Sequence, residues 1–231
     1  MSKALTFLFT ILLSHSAFSV PECRYGESGL PTILYVLVPS SNGLAVHDTA
    51  VLLGPRVFIT TGHLLDRLQA RGYLVYGGKR YHFSAYRNPK YDYATMNDST
   101  YDITVGILDE ALPNAESWAV GSPALLKNEP THVAGCVHGN LREQEGLATT
   151  KTGGTIIVFT PHNEVLLGPG DGGGPLWLWD SEGKRRVIGM MVFLMGHQLG
   201  YTILSEENLD FIRQTALKNG LPSPVESVSF Q

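Results

Sequence analysis

Short apolar runs, many with polar residues at alternate positions, recur along the chain between glycine and proline punctuation. They predict strands over 32–38, 44–53, 57–60, 73–83 (turning at Gly77-Gly78), 103–108, 131–137, 148–159 (turning at Gly153-Gly154), 176–179, 187–194 and 201–204. Strands at such regular spacing indicate an all-β sandwich or barrel rather than βαβ units. The helical period appears late. Ser205 can cap a helix there, and Glu206 and Glu207 suit its positive N-terminus. Leu209, Ile212, Ala216 and Leu217 share one face, and Gly220 and Pro222 end the helix.

Residues 1–19 follow a different pattern: Lys3, an apolar stretch over 4–13, then Ala17-Phe18-Ser19 as a small-x-small site. This predicts a secretory signal cleaved after Ser19, and hence a secreted or periplasmic protein. The stretch is shorter than the roughly 20 apolar residues of a membrane span. Residues 20–231 suit one large all-β domain or two smaller halves sharing a cleft. Without Lys3 the chain carries 16 of its 17 basic residues against 21 acidic ones, a formal charge of −5. That balance argues against a nucleic-acid surface. Cys23 and Cys136 read either as one disulfide in an oxidising compartment or as two buried thiols. No Cys/His grouping has zinc spacing, so neither metal nor cofactor is expected.

Three patterns carry candidate chemistry. Val57-Phe58-Ile59-Thr60-Thr61-Gly62-His63 is an apolar strand ending in a histidine, a placement that suits a general base beside a cleft. Tyr101-Asp102-Ile103-Thr104-Val105 sets an aspartate just before a buried strand, where it could orient an imidazole. Gly170-Asp171-Gly172-Gly173-Gly174-Pro175 cannot be regular helix or central strand, but it can aim successive N–H groups into an anion nest.

Histidine, aspartate and nest follow the chain order of one convergent hydrolytic triad. Here the chain resembles the chymotrypsin/trypsin-like serine proteases. Thr60-Thr61-Gly62-His63 matches that family's T-A-A-H, and Asp102-Ile103-Thr104-Val105 matches D-I-x-L. Gly170 to Pro175 matches G-D-S-G-G-P at five positions of six. Residues 187–193 resemble the cleft-lining strand x-V-G-I-x-S-W, and 209–214 the C-terminal helix, so the likeness runs from about residue 44 to 217. It implies two six-stranded antiparallel barrels with a C-terminal helix and a cleft between them. It also implies His63 and Asp102 as the catalytic pair, with Gly170 and Gly172 N–H groups as the oxyanion hole. Asp171 becomes the acceptor of an activation contact from a new N-terminus, for which Val20 stands 43 residues before His63, and Leu166, Val192, Phe193 and Leu194 become the substrate pocket. Leu166 would form an uncharged pocket base, and Leu194 would narrow the pocket.

One departure outweighs the matches. Gly172 stands where the family has its nucleophilic serine, and no Ser, Thr or Cys lies between Thr160 and Ser181 to replace it. Without a nucleophile only about 10³–10⁴ of acceleration remains, against 10⁶–10¹⁷ for typical enzymes. Leu64 replaces the cysteine that usually follows the family's histidine, and the usual activation sequence is missing. Three functions are compatible with this pattern. One is a protease homologue acting by binding a protein or peptide. Another is an inactive variant of a secreted endopeptidase with small apolar specificity. The last is a hydrolase of activated esters using His63 alone. On the variant reading, Gly172→Ser should suffice to install proteolysis.

Overall fold

The computed structural model describes residues 30–39, 45–94, 99–126, 130–137, 140–150 and 156–225. The leader, Val20, Cys23 and the Gly153-Gly154 turn lie outside the described residues. The first strands are β1 (Ile33–Pro39), β2 (Ala45–Gly54), β3 (Val57–Thr60), β4 (Gln69–Tyr76), β5 (Lys79–Arg87) and β6 (Thr104–Leu108). They form a closed barrel in the order β1-β2-β3-β6-β5-β4, sealed where Val36 of β1 pairs with Leu74 of β4. Leu34, Val36, Leu52, Phe58, Leu74 and Phe83 fill its interior, with the Phe58 and Phe83 rings edge to face.

The second half contains β7 (Ala119–Val120), β8 (Pro130–Val137), β9 (Asn140–Thr150), β10 (Ile156–Pro161), β11 (Pro175–Trp179), β12 (Arg185–Met195) and β13 (Gln198–Ile203). Its sheet runs β11-β8-β9-β10-β13-β12, and pairing of β11 with β12 closes it into a second six-stranded antiparallel barrel. β7 adds a short parallel pairing to β12. The expected all-β class, the two six-stranded barrels and the terminal helix are all present.

Two strand expectations need correction. The predicted strand over 148–159 is the end of β9 and most of β10, and β9 starts as early as Asn140. Its buried residues are Gln144, Gly146 and Ala148, so its inward face carries no large apolar side chain to betray the alternation. The hairpin around Gly77-Gly78 is likewise longer than predicted, from Gln69 to Arg87.

Between the barrels lies a further apolar cluster in which Val51, Ile59, Val105, Trp118, Trp177 and Met190 meet the buried face of α1 (Glu206–Lys218). The Ser205 hydroxyl caps α1 by accepting from the Asn208 N–H, as predicted. The helix also holds the segment that leads into Asp102. Buried Asn208 donates through Nδ2 to the carbonyls of Thr100 and Ile203, both at 2.8 Å, and its Oδ1 accepts from Asn88. Thr202 donates to Ser99 O, and Tyr101 donates to Glu207 at 2.6 Å. These bonds fix residues 99–101 and therefore the entry to Asp102. Asn208→Ala strands two buried carbonyls, so it should cost about 2–3 kcal/mol, which thermal unfolding would register as a clear drop in Tm.

Candidate active site

β3 is rigid because all four of its residues are buried and the strand is paired on both sides, to β2 through residues 57–59 and to β6 along its whole length. The chain leaves it at Thr60, whose hydroxyl donates to Thr49 O at 2.7 Å, and reaches His63 three residues later. Asp102 lies just before β6, the neighbour of β3, so the two residues are brought together across one ladder. The His63 N–H donates to Asp102 Oδ1 at 2.8 Å, and Nδ1 lies 2.9 Å from Oδ2. A carboxylate only accepts, so Nδ1 carries the proton and Nε2 is left for the cleft. The sequence pairing of His63 with Asp102 is thus realised in space.

The glycine segment is held from several directions. Asp171 N–H donates to Gly168 O, and Gly168 N–H donates to Asp171 Oδ2 at 2.9 Å. Gly173 N–H donates to Met191 O, and Met191 N–H donates to Gly174 O. From β2, Thr49 donates its N–H to Gly172 O at 2.8 Å and its hydroxyl to Gly170 O at 3.1 Å. The same hydroxyl accepts from Cys136 N–H in the other barrel, so Thr49 ties both halves to the nest. Among the described residues no backbone bond uses the N–H of Gly170 or Gly172. Gly170 has φ +95°, a left-handed conformation natural to glycine.

The residue that sequence reasoning missed is Asp48, in the middle of β2. Its side chain is 4% exposed and turns toward the glycine segment. A Cβ built on Gly172 would lie 2.6 Å from Asp48 Oδ1 and 3.0 Å from Oδ2. The carboxylate therefore occupies the space that a side chain at 172 would need. It is anchored by Thr61, whose hydroxyl donates to Oδ2 at 2.5 Å, and by Thr49 N–H, which donates to Oδ1 at 3.1 Å. Burial pushes the Asp48 carboxyl up to about 6, even though His63 and these two donors pull the other way. For His63, burial works downward, but the hydrogen bond and charge of Asp102, helped by the charge of Asp48, leave it above its ordinary value. The available signal was a lone aspartate inside the apolar run 44–53, on a strand whose neighbours are buried.

A cleft of about 320 Å³ lies over this group, with Val46, Asp48, His63 and Leu64 on one side and Gly170, Gly172 and residues 191–194 on the other. Val192, Phe193 and Leu194 line it. Leu194 is 47% exposed, and β12 joins β13 through only Gly196 and His197, so the cleft stays open at that edge. Leu166 does not form its base. That residue is 52% exposed and faces a separate depression with Glu143, Glu145 and Glu164, because Gln144 and Arg142 of β9 hold its backbone there. Asp171 is wholly buried, and its expected activation partner, Val20, lies outside the described residues. Cys136 is wholly buried in β8, and its expected partner, Cys23, also lies outside them. Among the described residues no group of His, Cys, Asp and Glu side chains could hold a metal ion.

No protein-family profile matches the chain, and no curated protein sequence does. Solved structures do. The chain is similar to HL collagenase, with a TM-score of 0.64 and 15% identity, over 85% of this chain and 97% of the other. A structure named GrC gives a TM-score of 0.64 and 15% identity over 85% and 98%. A Glu endopeptidase solved with MPD gives 0.61 and 15% over 81% and 91%. At this identity the likeness is one of fold, the two-barrel fold of the trypsin-like proteases.

Proposed function

We propose that this protein, built on the trypsin-like two-barrel fold, does not cleave peptides by serine chemistry and uses its cleft to bind them. The observation that carries this reading is the fit of Asp48 into the space of the missing side chain. An enzyme that had merely exchanged serine for glycine would keep a vacancy at 172. A buried carboxylate held by Thr61 and Thr49 instead supports the reading of a site matched to glycine. Hydrolysis of activated esters by His63 alone gains no such support.

A peptide suits the cleft for two reasons. β11 and the glycine segment before it occupy the β12 backbone as far as Met191, so from Val192 onward β12 has an open side toward the cleft. The β12–β13 ladder also shifts register between Met191 and Phe193, passing over Val192. An extended chain can pair with such an edge, while Leu194, Phe193 and Val46 receive apolar side chains. The N-terminal leader adds the proposal that the protein is secreted or periplasmic. Among the described residues no helix is long and apolar enough to cross a membrane.

A fluorophosphonate probe should leave the purified protein unlabelled, and N-acetylated apolar peptides should bind without turnover in an NMR titration. Labelling, or peptide cleavage abolished by His63→Ala, would overturn the proposal.

A further inference from the structure

We infer that the cleft recognises the free N-terminus of a peptide, with Asp48 as receptor for the α-ammonium group and the Gly170 and Gly172 N–H groups as donors to the first carbonyl. The inference rests on the peptide-binding reading above and names the part of the ligand that the site selects.

Asp48 lines the cleft although it is almost fully buried. An ionised carboxylate offers about four acceptor positions, and the hydrogen bonds found for Asp48 among the described residues come from two donors, Thr61 and Thr49. No Lys or Arg lines the cleft, and no ion pair to Asp48 occurs among the described residues. A buried anion in this state gains strongly from a cationic donor brought by a ligand, because charge-assisted bonds strengthen away from water.

Beside these acceptors stand two uncommitted donors, the Gly170 and Gly172 N–H groups. A ligand that satisfies both sets needs a cationic donor and a carbonyl acceptor separated by a short link. The first residue of a peptide with a free amino group has that pattern, and the apolar lining of Val46, Leu64 and Leu194 suits an aliphatic first side chain. A serine at 172 would claim the volume beside Asp48. Glycine leaves the carboxylate facing the cleft.

The test compares leucyl-alanyl-alanine amide with its N-acetylated form on the whole protein, by calorimetry or NMR titration at pH 7. The amine is still mostly protonated there, as α-amino groups titrate near 7.7–8.0. The free amine should bind about tenfold tighter or more, the effect of one charge-assisted hydrogen bond. Asp48→Asn, nearly the same shape, should bring the two forms within about twofold. Equal binding of both forms by the unaltered protein would overturn this inference and leave peptide binding standing. Binding of neither form would overturn both. A preference that survives in Asp48→Asn would exclude Asp48 as the receptor.

Discussion

Gly172→Ser made alone should leave the protein inert toward fluorophosphonates and less stable, whereas Gly172→Ser combined with Asp48→Ala should make it react. This replaces the sequence-based expectation that serine alone is enough. The new Cβ would stand 2.6 Å from Asp48 Oδ1, closer than a carbon and an oxygen approach without bonding. The carboxylate cannot simply swing aside, because Thr61 and Thr49 hold both of its oxygens in a buried site. Overpacking of this kind costs about 1–3 kcal/mol, and the serine would be forced off the line to His63. Removing the carboxylate frees the volume, while His63 and Asp102 keep their 2.9 Å contact and Gly170 and Gly172 keep their N–H groups. The double variant then has every part of a triad and oxyanion hole. It should be labelled by the probe, and its hydrolysis of an apolar activated ester should exceed that of the unaltered protein by about 10²-fold or more. A reactive single variant would show that Asp48 yields easily. An unreactive but folded double variant would show that the nest itself is misaligned.

Stability should rise as pH falls from 8 toward 5, the reverse of ordinary acid lability, and Asp48→Asn should remove much of that slope. The unfolded chain releases the Asp48 proton near the ordinary 3.8, whereas the folded protein holds it up to about 6. Between those values the native state binds more protons, so stability declines with rising pH and stays lower above 6. The gap corresponds to about 3 kcal/mol. His63 adds to the same trend. Its folded value is raised, so its contribution is fully present below about 6.5 and is lost as pH rises through the folded value. Toward pH 4 the trend turns over. Asp180 is held below its usual range because the hydrogen bonds from Arg186, Lys184 and Glu182 outweigh its desolvation. Glu207 is held low by Lys90 and Tyr101, and both groups lose their contribution on protonation. In Asp48→Asn the amide oxygen can accept from Thr49, and Thr61 can turn its hydroxyl from donor to acceptor. The variant should gain about 1–3 kcal/mol at pH 8, or several degrees in Tm at this chain length, with little change at pH 4. Parallel Tm-against-pH curves for the two proteins would refute this account of Asp48.

By itself the sequence determined the strand-rich class, the capped terminal helix, and the local settings of His63, Asp102 and the Gly170 to Gly174 nest. Each is legible because its cause is local: alternation along a strand, a serine cap, a glycine run that excludes regular structure. The gaps in that reading have local causes too. β9 was half invisible because Gln144, Gly146 and Ala148 are what it turns inward. Leu166 was misplaced because Gln144 and Arg142, on a neighbouring strand, hold it away from the cleft. Only the tertiary structure decided the role of Asp48. Nothing around position 48 in the chain refers to Gly172; the two meet because β2 lays Thr49 across the nest and donates to Gly172 O. Whether a glycine at a nucleophile position is a vacancy or a fitted surface depends on what stands within a few ångströms of its Cα, and chain order does not contain that distance.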